Sequence, residues 1–228
     1  MTKQYANALL AEFIGVFTLC FIGILAIGGP ATVGAPGQST LLGVAFAHGL
    51  ALVVMIGALA AVSGAHFNPA VTVGLLLIRR IGGGQALGYI GAQLVGAVAA
   101  SFLLSLLFGA QLPARGNPAL ANGVAPVSGI VLEVVATFFL VLVVIGSAVD
   151  KRAPQGVFPL LIGLTVTMDI LAIGPLTGGA MNPARAFGPA LVSGHWANHW
   201  IYWVGPLVGG ALAALTAQWF LPPTEKAT

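Results

Sequence analysis

The sequence predicts an all-α polytopic membrane protein of six transmembrane helices plus two re-entrant half-helices, arranged as an inverted repeat. Three observations carry that prediction. Hydrophobic residues make up 58% of the 228-residue chain and charged residues only 6%, against about 25% charged in an ordinary soluble domain. Six apolar stretches approach the length of about 20 residues that a bilayer crossing requires. Two more apolar stretches are too short to cross, and they lie at matching places in the two halves. The composition excludes a soluble enzyme, and no nucleophile–base pair falls in a plausible pocket. The net charge of +3 is small and scattered, which excludes a nucleic-acid partner. Cys20 is the sole cysteine, so no disulfide framework forms, and no Cys/His cluster has metal-ligand spacing. No metal and no cofactor is expected.

The six spans run over residues 8–27, 41–62, 86–108, 127–149, 158–173 and 200–220, the fifth being the shortest. Met1-Thr2-Lys3-Gln4-Tyr5 leads into the first without a small-residue cleavage site, so no cleaved signal peptide is expected. The half-helices cover residues 69–78 and 183–192. Each opens with proline, which suits a helix's first turn, and each follows asparagine, a favoured N-cap. Residues 28–40 and 109–126 read as uninformative linkers. The second contains another Asn117-Pro118-Ala119, which lacks a Gly-rich entry and a following half-helix and reads as a decoy.

If six helices alternate, Lys3, Arg79, Arg80, Lys151, Arg152 and Lys226 fall on one side and Arg115 on the other. Positive residues mark the cytoplasm, so both termini are expected there, in a multi-pass protein of the inner or plasma membrane. The first half-helix then enters from the cytoplasm and the second from the opposite face.

The halves repeat. Leu10-Ala11-Glu12-Phe13-Ile14 matches Val131-Leu132-Glu133-Val134-Val135, and Gly64-Ala65-His66-Phe67-Asn68-Pro69-Ala70 matches Gly178-Gly179-Ala180-Met181-Asn182-Pro183-Ala184. Residues 1–228 read as one domain with repeats at about 5–110 and 126–221. Three spans per half invert the second copy, an architecture of transport proteins. Two half-helix N-termini meeting at mid-membrane carry partial positive charge and form a barrier to cations and protons. Asn68 and Asn182 are expected to point amide donors into the lumen. Non-helical backbone at Gly64, Ala65, His66, Phe67, Gly178, Ala180 and Met181 is tolerated at that depth only where it lines a wet cavity. Glu12 and Glu133 lie within spans, where ionisable groups are expensive. Their matched positions favour acceptors for the buried re-entrant backbone over a proton relay.

The two Asn-Pro-Ala blocks, Ser63 to Thr72 and Met181 to Ala190, resemble those of the aquaporins, and the resemblance extends over essentially the whole chain. It implies a right-handed bundle, a homotetramer in membrane lipid with one pore per subunit, and passive conduction of water without ions. His48, Ile170, Gly179 and Arg185 can lie at one level of the pore, and alignment on the motifs puts them where aquaporins build their outer constriction. This set resembles that of plant tonoplast intrinsic proteins and the animal aquaporin-eight branch. It implies passage of ammonia, and of urea or hydrogen peroxide, besides water. Those plant members with the strongest ammonia association carry a histidine between the third and fourth spans, and residues 109–126 have none. A strictly water-selective pore is the alternative. A glycerol facilitator is disfavoured by Ala186 after Arg185 and by Tyr202-Trp203. A coupled transporter would need Glu12, Glu133 and Asp169 to carry protons or ions. Asp169 is expected either to orient His48 or to bond between helices.

Overall fold

The structure, a computed structural model, describes residues 2–32 and 39–221. Lys226 and residues 33–38 of the first linker lie outside the described residues. Among those described, α1 (Lys3–Thr32), α2 (Leu41–Ser63), α4 (Gly83–Phe108), α6 (Pro126–Val144), α7 (Phe158–Thr177) and α9 (Ile201–Ala217) are the long helices. The half-helices are α3 (Pro69–Leu77) and α8 (Pro183–Ser193), and a short α5 (Gln111–Gly116) lies between α4 and α6. Five helices are long and apolar enough to cross a membrane, counting α6 together with a π-helical turn at Ile145–Val149. In contrast to the expected order of lengths, the sixth is shortest at 17 residues, while the fifth runs on through Pro175 to Thr177. Proline near the end of a helix removes one donor without preventing the last turn, and Gly178 stops α7 in the left-handed conformation at φ 85°. Gly64 stops α2 in the same way at φ 87°.

Local chemistry starts the other elements. Thr40 Oγ1 caps α2 by accepting from the Gly43 N–H at 3.0 Å. Asn68 caps α3 and Asn182 caps α8, each followed by proline at the first helical position. The linker at 109–126 is not the featureless tether that its composition suggests. It folds α5 against α1 and α8, and the Ala121 N–H donates to the Leu176 carbonyl at 2.9 Å.

Small residues set the packing, as is usual where lipid removes the ordinary hydrophobic drive between helices. A Cβ on Gly96 of α4 would stand 2.5 Å from the Phe13 carbonyl oxygen of α1. A Cβ on Gly209 of α9 would meet the carbonyl of Val134, its counterpart on α6. Between the halves, α2 and α7 cross where Gly49 meets Gly163, and a Cβ on Gly49 would lie 2.6 Å from the Gly163 carbonyl oxygen. The outer faces carry exposed Leu50, Val54, Phe102, Leu106 and Val127, the surface a helix presents to lipid. At one end, Arg152 donates from Nε and Nη2 to Asp150 and from Nη2 to the Phe220 carbonyl at 2.6 Å. The guanidinium holds the Asp150 carboxyl down to about 2.

Candidate functional site

A cavity runs between α3 and α8 through the middle of the molecule. One wall is re-entrant backbone and asparagine: Ala65, His66, Phe67 and Asn68 from one half, Gly179, Ala180, Met181 and Asn182 from the other. Much of the remaining lining is aliphatic, with Leu52, Ile56, Leu140, Val144, Ile162 and Val166. Of the backbone set expected to line a wet cavity, Gly178 borders instead a second cavity, a vestibule lined by Leu41, Val44 and residues 115–119. Gly64 touches neither space: its role is the left-handed turn that ends α2.

The backbone conformation of this wall is set by two buried carboxylates. Glu12 accepts from Ser63 Oγ at 2.7 Å, the His66 N–H at 2.9 Å, the Phe67 N–H at 2.8 Å and Gln93 Nε2 at 2.7 Å. Glu133 accepts from Thr177 Oγ1 at 2.8 Å, the Ala180 N–H at 3.0 Å and the Met181 N–H at 2.7 Å. Ser63 and Thr177 also accept from Ala65 and Gly179 N–H groups at 2.9 and 3.1 Å. In a trans peptide the C=O of one residue opposes the N–H of the next. With the N–H groups turned to the carboxylate side, the carbonyls of residues 64–66 and 178–180 turn away from it, as acceptors in two short ladders. The conformation requires positive φ at Ala65 (51°), Phe67 (49°), Gly179 (55°) and Met181 (50°). For residues with a side chain that is uncommon, and the seven bonds to Glu12 and Glu133 hold it.

Tyr89 and Tyr202 complete the correspondence by donating to the carbonyls of Ser63 at 2.7 Å and Thr177 at 2.8 Å. One half carries an addition. Gln93 Nε2 also donates to Thr72 Oγ1 at 3.0 Å, which lies 3.1 Å from His66 Nδ1. Ala186 and Pro206 stand where the second half would need partners of that kind.

The two asparagines do more than cap. Asn68 Oδ1 accepts from the Ala70 N–H at 2.8 Å, and Asn182 Oδ1 from Ala184 and Arg185 at 3.0 and 3.2 Å. Asn68 Nδ2 donates to the Met181 carbonyl and Asn182 Nδ2 to the Phe67 carbonyl, both at 2.8 Å. Sequence reasoning placed both amides in the lumen and did not foresee this cross-bracing. Each amide nitrogen carries two protons, so one on each remains for the cavity that both residues border. Pro69, Ala70, Pro183 and Ala184 are buried behind them.

His48, Ile170, Gly179 and Arg185 all line the cavity. Ile170 and Arg185 also border the second cavity, the vestibule. Arg185 is 4% exposed. Its Nη1 donates to the Gly116 carbonyl at 3.0 Å, and its Nη2 lies 3.5 Å from His48 Nε2. Among the described residues the only ion pair is Asp150–Arg152, so no carboxylate touches Arg185, and Glu133 acts on it only through space. A buried charge at membrane depth without a contact partner points to a solute or ion pathway.

The Gly116 carbonyl and the vestibule position of Arg115, Asn117 and Pro118 are features of the site that sequence reasoning missed. A backbone acceptor has no residue signature, although the third Asn-Pro-Ala drew attention to the place. Pro118 packs where a Cβ on Gly178 would stand. Asp169 does not orient His48, because His48 Nδ1 is engaged by the Val44 carbonyl at 2.8 Å. Oδ2 of Asp169 is buried without a hydrogen-bond partner, so an interhelical bond through that oxygen is also absent.

A model of the family described as Major intrinsic protein matches residues 1–217. The chain is 46% identical over 215 residues to aquaporin TIP4-4 of Zea mays, covering 92% of this chain and 84% of that protein. It is 45% identical over 228 residues to a probable aquaporin, TIP3-2, of Arabidopsis thaliana, covering 96% and 85%. The X-ray structure of the aquaglyceroporin from Plasmodium falciparum superposes with a TM-score of 0.81 at 24% identity, over 92% of this chain and 94% of that one. That likeness speaks for the fold alone.

Proposed function

We propose, because this chain belongs to the major intrinsic protein family, the aquaporins, that it conducts ammonia as well as water through the constriction of His48, Ile170, Gly179 and Arg185. Membership makes it a passive water channel in a multi-pass membrane fold. The finer reading rests on one observation: Ile170 and Arg185 line both the cavity and the vestibule, and no side chain projects from Gly179 on the cavity wall. Water has two donors and two acceptors and suits a polar ring. Ammonia is similar in size but a weaker donor, so it gains more from an aliphatic wall. Arg185 repels ammonium at the same level. The half-helix N-termini at Asn68 and Asn182 oppose cations and interrupt proton relay along the file. The uneven placement of Lys and Arg supports cytoplasmic termini, and the family resemblance supports a homotetramer.

The test uses proteoliposomes. Osmotic shrinkage reports water, and internal alkalinisation after an ammonium gradient reports ammonia, on the same preparation. Both rates should exceed those of empty vesicles. Water flux without ammonia flux would leave a water-selective channel and make the missing histidine of residues 109–126 the first suspect.

A further inference from the structure

We propose that Gly23 of α1 is a specificity-determining position of the pore, because it provides the notch in which the His48 ring lies beside Arg185. The inference rests on the reading of His48 and Arg185 as part of the outer constriction. A Cβ on Gly23 would collide with His48 Nε2 and stand 2.8 Å from both Cδ2 and Cε1. The three nearest atoms all belong to that one ring. Carbon atoms in contact prefer about 3.5–4.0 Å, so no side chain fits at position 23 while the ring stays where it is.

The ring is fixed along its other edge. His48 Nδ1 lies 2.8 Å from the Val44 carbonyl. A carbonyl only accepts, so Nδ1 carries the proton and Nε2 of the neutral ring is the acceptor. That acceptor faces Arg185 Nη2 at 3.5 Å. Displacing the ring therefore disturbs the guanidinium too. The next residue on α1 supports the other side of Arg185. A Cβ on Gly116 would lie 2.7 and 2.8 Å from the Ile24 side chain, and the Gly116 carbonyl takes Arg185 Nη1. Two consecutive residues of α1 thus seat both groups that hold Arg185.

The inverted repeat supplies an internal control. Val144 follows Gly23 by 121 residues, as Glu133 follows Glu12, and Ile162 follows His48 by 114, as Asn182 follows Asn68. Val144 and Ile162 both line the cavity. Where the imidazole is replaced by an aliphatic side chain, the α6 position carries a valine. Glycine stands only where the ring does.

Gly23→Ala tests the idea. Alanine is the better helix former, and the clashing atoms are the far end of one side chain, so the ring gives way rather than α1. Pushed off α1, it enters the lumen. Water permeability per folded channel, from stopped-flow shrinkage of proteoliposomes, should fall severalfold. In a His48→Ala background, adding Gly23→Ala should change nothing, because the colliding atoms are gone. Any general effect of alanine on α1 would appear in both backgrounds. Unchanged permeability in Gly23→Ala, or an equal fall in both backgrounds, overturns the proposal. Loss of folded Gly23→Ala protein that His48→Ala fails to restore overturns it as well. The readout is water, so absent ammonia conduction would sink that reading and leave this one standing.

Discussion

Arg185 is the central side chain of the proposed constriction, and it was legible because an arginine directly after Asn182-Pro183-Ala184 has few structural reasons to be there. A cation near the positive end of a helix dipole is unfavourable. Replacing Ile170 with His and Gly179 with Thr should restore bulk and polarity around it. Ammonia flux should then fall much more than water flux, read by alkalinisation and shrinkage side by side. The φ of 55° at Gly179 strains any side chain placed there; Ala65 at the matching place tolerates 51°, at a cost of about 1–2 kcal/mol, and a β-branched threonine is strained further. Cys20 gives a second expectation at this scale. It is 1% exposed and off the cavity wall, and thiolate access governs reaction with mercury. Water flux should survive mercuric chloride, whereas Gly179→Cys should introduce inhibition. What stayed illegible was contact through backbone. The Gly116 carbonyl and the Gly23 notch are absences of side chain, and a chain with 32 glycines hides two among many.

Among the elements, the two re-entrant segments were readable because short capped helices in an apolar chain need a buried partner. The partners, Glu12 and Glu133, were readable from their matched positions. Their geometry defines a graded test. Glu133→Ala would strand the Ala180 and Met181 N–H groups, at about 1–3 kcal/mol for each buried unsatisfied donor, while the Thr177 hydroxyl would keep only the Ile173 carbonyl as acceptor, at 3.4 Å. Thermal unfolding in detergent should show a large loss. Glu133→Gln, which keeps an acceptor oxygen, should fall between that variant and the parent. Equal melting of all three would mean that the carboxylate is not what holds the segment. The fourth span ends where it was expected, at Val149, but the ends of α7 and α9 were less legible, because hydropathy does not distinguish a helix that stops from one that continues through Pro175. The short α5 was invisible for a related reason, since six residues carry no usable periodicity.

The whole molecule is two copies of one design with unequal ends. The spacing that maps Asn68 onto Asn182 also maps Val71 onto Arg185, and that of Ile162 onto His48 runs the same way. At these two positions one half is polar and charged and the other aliphatic. This asymmetry, together with the opposed half-helices, leads to the expectation that protons do not pass. A pH-sensitive dye inside vesicles should report no leak that scales with protein content, even while water flux does. The bonds from Asn68 to the Met181 carbonyl and from Asn182 to the Phe67 carbonyl bear on how such a molecule is made. They join residues 113 and 115 positions apart. A ribosome adding about 5–20 residues per second leaves the first half waiting on the order of ten seconds for its counterpart. Throughout that interval the Phe67 carbonyl has no clasp and the Asn68 amide nothing to hold. The nascent channel is thus expected to stay unsealed at its centre until the last third of the chain has entered the bilayer. Separately expressed halves should remain inert until they find each other.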